Sequence, residues 1–398
     1  MIAWFLMVTV PAQALSFEQT QSLAEASPAL SAASTAIDRR RALAEVIPWL
    51  TSNPSVLVQP GARRMTQGAV GPELYLGLSQ DVSLAGAGVA RRAAAMAEVG
   101  ADTEERAVLR RGLAIAAAQA WLSLWAAQVA LEAARGELTL TREWKSRVAK
   151  GALAGGFTRV DVAVADAYQA EAHLTALSLE GEAFVRGVQL NRVVGRDADG
   201  PAVATAALPV VAIDAERVSH VTEAAETSPP VRAAKASVEV ERLKGQEAEA
   251  SRGTSLQVGA LAWREGGGDL AAVASLQLTL PVFERAQRER SVAAAALSRA
   301  EGRTLTALAD ERAERVDALH ELEHSLETLR VVEDELLPAS REALDGMQRR
   351  FDAGEATAQE LVLTRRALMS TKARHARAQA DVVFARFHLS MLTSEVTR

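Results

Sequence analysis

The sequence predicts a mainly α-helical protein with a small β part, in which one long helical hairpin and one pair of strands occur twice. Three observations predict it. The first is an internal repeat. Glu25-Ala26-Ser27-Pro28-Ala29-Leu30 is echoed by Glu226-Thr227-Ser228-Pro229-Pro230-Val231, and Leu76–Leu84 by Ala274–Val282. Ala154-Gly155-x-x-Thr158-x-x-Asp161-Val162 is echoed by Ala353-Gly354-x-x-Thr357-x-x-Glu360-Leu361. The offsets are 201, 198 and 199 residues (Glu25 to Glu226, Leu76 to Ala274, Ala154 to Ala353), so the register barely drifts. That period is too long for a solenoid and describes a two-fold duplicated chain, with a first repeat over 15–205 and a second over 206–398. The second observation is a pair of long helical stretches, and the third is a strictly alternating segment with a partner strand in each half.

The long helices come first. No proline occurs from about Val89 to Ala152, where Val108, Ile115, Leu122 and Val129 recur every seven residues. From about Arg285 to Phe351, Leu319, Leu322, Leu326, Leu329 and Leu336 follow heptad spacing, with one apolar position lost at Glu333. Each helix would be roughly 95–100 Å long at 1.5 Å per residue. Pro338 should bend the second without ending it. Both stop at a glycine turn and restart at a capping signal. Gly155 and Gly354 supply the turn, and Thr158-x-x-Asp161 and Thr357-x-x-Glu360 place a hydroxyl at the N-cap and a carboxylate three residues on. The result is two antiparallel hairpins with tips at 154–161 and 353–360 and return arms over Thr158–Val194 and Thr357–Leu392. A tip of this kind is either ordinary helix reversal or an interaction surface.

Strands are predicted at about 55–59 and 73–82, and again at 255–263 and 271–281, from alternating runs such as Glu73–Gln80 and Ala274–Leu280. The connections Pro60–Val70 and Arg264–Asp269 are Gly-rich and polar. Strands of about ten residues with one apolar face can stand as barrel staves in a bilayer. They serve equally as a small sheet in water.

Composition bounds the rest. The 398 residues allow a large core; 49% are hydrophobic, yet only 4% are aromatic, and the abundant alanine suits closely packed long helices. The net charge of −6, with both signs interspersed and no basic stripe, argues against nucleic-acid binding. Zero cysteines exclude disulfides and thiolate metal sites. Ile2–Val10, followed by Pro11 and Ala12-Gln13-Ala14, has the character of a secretory signal cut before Leu15. A signal peptide is therefore expected over 1–14; it lacks a basic start, as a truncated leader would. A buried N-terminal helix is the other reading. No later apolar run of 18 residues is expected to cross a membrane as a helix.

Within this frame the chain resembles the TolC-type outer-membrane efflux proteins, and among them the CzcC-like heavy-metal branch. The segments that carry the resemblance are Leu276–Ala294, Leu337–Leu344, and Arg350-Phe351-Asp352-Ala353-Gly354 with Thr357-x-x-Glu360-Leu361. First-half counterparts are Asn53-Pro54 and Leu78-Ser79-Gln80-Asp81. The resemblance implies a homotrimer in which four strands per protomer build a 12-stranded outer-membrane β-barrel and the helical hairpins a coiled-coil barrel crossing the periplasm. It implies a duct that performs no chemistry, needs no cofactor and sits in outer-membrane lipid. Its partners would be a periplasmic membrane-fusion adaptor and an inner-membrane transporter of the resistance-nodulation-division (RND) type. The exported solute would be divalent heavy-metal cations, or drugs and other small molecules in a duct of the same fold. Gly155, Gly156, Thr158, Arg159, Asp161, Gly354, Thr357 and Glu360 would form the periplasmic tip that docks the adaptor. Glu360 would also be an entrance constriction, repeated three times around the axis, besides its capping role. A second acidic ring is not expected, because Leu363, and Val164 in the first half, occupy its position. Arg159, Arg365 and Arg366 are further candidates for gating or adaptor contact, or simply solvated charges.

One motif points elsewhere. His320-Glu321-Leu322-Glu323-His324 is a literal HExxH, in which two histidines one helical turn apart can hold zinc and the glutamate can activate water. A secreted zinc metalloprotease would use these residues, with Glu342 as a third ligand. The motif lies within the leucine heptads and has no first-half counterpart, so it is equally a chance pattern or a weak metal contact at His320 and His324. His173, His220, His375 and His388 show no ligand spacing. A soluble periplasmic coiled-coil scaffold is the remaining alternative.

Overall fold

The computed structural model describes residues 14–50, 52–64, 66, 68, 70–198, 200–213, 223–265, 268–283 and 286–393. The expected signal peptide lies almost wholly outside these residues. In chain order the elements are β1 (Ala14–Leu15), α1 (Phe17–Glu25), α2 (Pro28–Glu45), β2 (Ser55–Arg64), β3 (Val70–Ser83), α3 (Ala87–Leu153) and α4 (Arg159–Val194). After these come β4 (Val203–Ala204), a 3-10 turn (Glu223–Thr227), α5 (Pro229–Ser251), β5 (Ser255–Arg264), β6 (Leu270–Thr279) and α6 (Gln287–Arg330). A π-helical stretch (Val331–Leu336), α7 (Leu337–Asp352) and α8 (Ala358–Thr393) complete the order. The fold is the mainly helical, small-sheet class that the sequence predicts. Its contacts form two compact units, each drawing on both halves of the sequence: 1–31, 109–228 and 312–398 in one, 32–108 and 229–311 in the other.

The first unit is helical. Its main core gathers Phe17, Trp121, Leu124, Leu190 and Val194 with Ala376 and Ala380. Phe17 meets Trp121 and Phe387 edge to face, at ring-centroid distances of 5.6 and 5.2 Å. The N-terminal segment is tied in twice: Ala14-Leu15 pairs in parallel with Val203-Ala204, and the Trp121 indole N–H donates to the Leu15 carbonyl at 2.8 Å. By length and composition α3 is apolar enough to cross a membrane, with a mean hydropathy of 1.4 over its best 18 residues. This corrects the expectation that no such stretch exists. Ala117, Ala118, Trp121 and Leu124 on that helix are buried against protein.

The second unit holds a four-stranded antiparallel sheet in the order β2-β3-β5-β6. The strands depart from expectation at their ends. β2 and β3 run on to Arg64 and back from Val70, through much of the predicted loop 60–70. Pro60 suggested a loop, but β2 is an edge strand of the chain's sheet, the place where a strand tolerates proline. β6 stops at Thr279, two residues before Pro281.

The second long helix differs from the first in the way Pro338 requires. Without a Pro338 N–H, one carbonyl of the preceding turn has no α-helical partner, and a π-helical turn at Val331–Leu336 carries the chain into α7 without a break. The buried side of α6 also falls one residue before the leucine stripe. Ala318 and Ser325 are buried, as is Val332 in the π-turn, whereas Leu326 is 40% exposed. The other arms match the predicted hairpins within a residue or two.

Candidate functional site: hairpin tips and a bare sheet face

In the first unit the two hairpin tips share a core. Both turns need a left-handed residue, and glycine supplies it: φ is 81° at Gly155 and 77° at Gly354. Each return helix then starts at a complete capping box. The Asp161 carboxylate accepts from the Thr158 backbone N–H at 2.9 Å and its hydroxyl at 2.7 Å, and the Thr158 Oγ1 accepts from the Asp161 N–H at 3.2 Å. Thr357 and Glu360 repeat the pattern at 2.8, 2.9 and 3.2 Å. Those hydrogen bonds from Thr357, aided by the charge of Arg350, hold the Glu360 carboxyl below its usual range. Arg159, Gly156 and Glu360 are exposed at the tips.

Beneath the turns lies an aromatic cluster. Trp144 of α3 meets Tyr168 of α4 and Phe351 of α7 at ring-centroid distances of 6.2 and 6.0 Å, and Phe157 stacks on Phe351 at 5.7 Å. Leu361 and Val362 of α8 close it. Next to it lies a polar network. Arg365 of α8 pairs with Glu137 of α3 at 3.1 Å, both side chains nearly buried, and donates to Gln348 of α7 at 3.2 Å. The Tyr168 hydroxyl donates to the same Glu137 oxygen at 3.0 Å. Burial first, and then the Glu137 carboxylate, push the Tyr168 phenol far above its ordinary range. Its neighbour Arg366 is exposed, pairs with Glu171 of α4 and lies 5.8 Å over the Tyr168 ring. The two arginines therefore differ: Arg365 is an internal tie rather than a solvated charge, and Arg366 is a surface one. Glu137, Tyr168, Trp144 and Phe351 carried no signal in the sequence as members of one site.

The second unit offers a different surface. Residues opposite one another in an antiparallel ladder share a face, and alternate residues change face. The register therefore puts Val56, Val58, Leu76, Leu78, Val258, Ala260, Ala274, Leu276 and Leu278 together on one side. That side is apolar and bare: Val56 is 72% exposed and Leu276 74%. Its charges, Arg64 and Arg264, stand only at the loop ends of the strands. The other side is mixed, with Gln59, Gln257, Gln277, an Arg63–Glu73 ion pair at 2.7 Å, and Tyr75 stacked on Trp263 at 6.3 Å. Within the chain β2 and β6 each have one open edge.

His320, Glu321 and His324 lie on the exposed side of α6, and among the described residues no three His, Cys, Asp or Glu side chains stand close enough to hold a metal. Glu342 is exposed on α7, beyond the π-turn. His388 instead bonds to Glu314 at 3.0 Å, and Glu314 pairs with Arg111 at 2.6 Å. These two partners, His388 first, pull the Glu314 carboxyl down to about 2.

No family model and no curated protein matches the sequence. Solved structures do match. A membrane protein from Pseudomonas aeruginosa is similar with a TM-score of 0.72 at 18% identity, over 96% of this chain and 92% of that one. The outer-membrane protein VceC of Vibrio cholerae is similar with a TM-score of 0.69 at 17% identity, over 95% of each chain. The MtrE outer-membrane channel of Neisseria gonorrhoeae, in its open state, is similar with a TM-score of 0.68 at 18% identity, over 95% and 88%. At such identities the likeness speaks to architecture, and the architecture is the TolC-type fold of outer-membrane channels.

Proposed function

We propose that this chain is the outer-membrane duct of a tripartite efflux system, carrying solute from periplasm to exterior without chemistry of its own. The observation that carries the reading is the sheet. It has one bare face that is apolar along mid-strand, with Gln80 and the loop-end Arg64 and Arg264 its polar members, one mixed polar face and two open edges. Four strands cannot close on themselves, and open edges are not tolerated in hydrocarbon, so a membrane-spanning form requires several copies. Three copies give twelve strands, with the bare face toward lipid and the face of Arg63, Glu73 and the glutamines toward the lumen. The fold's likeness to outer-membrane channels supports the same assembly.

In this reading the tips are the periplasmic end. Gly155, Gly156, Thr158, Arg159, Asp161, Gly354, Thr357 and Glu360 dock a membrane-fusion adaptor, which links the duct to an inner-membrane RND-type pump. Three Glu360 carboxylates, kept ionised by their capping bonds, narrow the entrance and favour cations. The cargo is divalent heavy-metal cations, supported by the sequence resemblance to the CzcC-like branch.

Fractionation tests the duct: a heat-modifiable trimer in the outer membrane supports it, and a soluble periplasmic monomer overturns it. Metal sensitivity of a deletion strain tests the cargo. Sensitisation to drugs with unchanged metal tolerance replaces metals with small organic molecules in the same duct.

A further inference from the structure

We propose that His320 and His324 form a surface chelating site for a divalent cation that prefers imidazole, such as Cu(II), Ni(II) or Zn(II). The inference does not depend on the duct reading. The two side chains are one helical turn apart on α6, and their rings are nearly parallel, 15° between planes, with centroids 6.2 Å apart. Metal–nitrogen bonds of about 2.0–2.1 Å put two ligating imidazoles with centroids roughly 5 Å apart, so the rings need to approach by about an ångström and turn until a nitrogen of each aims at one point. Both residues are exposed, and they project from the side of α6 opposite its buried positions Arg315, Ala318 and Ser325. No competing bond has to break, since neither ring hydrogen-bonds to another described residue.

The same stripe of α6 carries acids at both ends of the pair, Asp317 three residues before His320 and Glu327 three residues after His324. Glu327 is engaged with Arg330 at 2.7 Å, so it is not a ligand as it stands. Two imidazoles, with water completing the shell, make a site of modest affinity that follows the Irving–Williams order and is tightest for Cu(II). It is also distinct from a zincin centre, because Glu321 is not needed.

Cu(II) titration of the purified full-length protein, followed by electron paramagnetic resonance and calorimetry, tests the site. One Cu(II) per chain is expected, with coupling to two nitrogens. Binding should weaken on acidification, because protons compete with the metal for the imidazole nitrogens. His320→Ala and His324→Ala should each lose the two-nitrogen signature, while Glu321→Gln and a His173→Ala/His375→Ala control should keep it. His320→Gln and His324→Gln serve if an alanine variant fails to fold. An unchanged spectrum in the His320→Ala/His324→Ala protein overturns the proposal, as does the absence of Cu(II) binding by the wild type.

Discussion

Glu137 and Arg365 are 228 positions apart in the chain, yet their charged groups meet at 3.1 Å where α3 and α8 pack beneath the hairpin tips. The Tyr168 hydroxyl and Gln348 complete the arrangement, so one carboxylate draws together α3, α4 and α8, while Arg365 reaches α7. Removing one member of a nearly buried pair leaves the other's charge uncompensated, held only by neutral partners. Arg365→Ala should therefore cost about 3–5 kcal/mol of local stability. Replacing both by apolar residues of similar size (Glu137→Leu with Arg365→Met) should cost much less. Hydrogen exchange of the α3 and α8 amides distinguishes the two; equal loss in both variants would refute the assignment of the pair.

The capping boxes act one residue at a time. Thr158→Ala and Thr357→Ala should each destabilise their return helix by about 1 kcal/mol, the usual worth of a hydroxyl N-cap. The first turns of α4 and α8 should show faster amide exchange, with the rest of each helix unaffected.

Gly155 and Gly354 adopt backbone angles that a side chain resists. An alanine at either should cost about 1–2 kcal/mol, since the left-handed region crowds Cβ against the carbonyl. At Gly346, which has an ordinary backbone and open space, the same change should be neutral or slightly stabilising. Matched melting curves of the three variants are the check.

Glu314 makes a pH prediction. Its folded-state pKa lies below the ordinary value, so its bonds to His388 and Arg111 contribute stability at neutral pH. That contribution should be lost as the pH falls from about 4.5 to about 2. In Glu314→Gln the melting temperature should be lower at pH 7 and should fall less steeply on acidification than in the wild type. Parallel acid titrations of both proteins would disprove the coupling.

The two faces of the sheet should respond differently to charge. Leu76→Arg, on the bare side, should oppose membrane assembly by about 2–4 kcal/mol at mid-strand. Gln257→Lys, on the mixed side, should assemble normally and alter only ion selectivity. Recovery of trimer from membranes and single-channel conductance read the two effects.

Much was legible before any coordinates. The glycine turns, the Thr-x-x-acid caps, the arms of both hairpins and the four strands rest on interactions between residues within a few positions of one another. Local chemistry determines them, and the repeat makes each visible twice. The 3.6- and 2-residue periods also exposed which faces are apolar. The strand ends were misjudged because Pro60 looks like loop locally, and only its place at a sheet edge makes it tolerable. The leucine heptads of α6 do not mark its most buried residues: Ala318 packs with Leu389 and Leu392 of α8 while Leu319 and Leu322 stay partly buried beside it, and that depends on how two distant helices pack. The same cause hid Glu137, Trp144, Tyr168 and Phe351: nothing in sequence ties residues of α3, α4, α7 and α8 together. Sequence by itself determined the elements and their duplication. Only the tertiary structure decided which arginine at the tip is buried, where the sheet ends, and that His320 and His324 face outward, because burial depends on which surfaces meet.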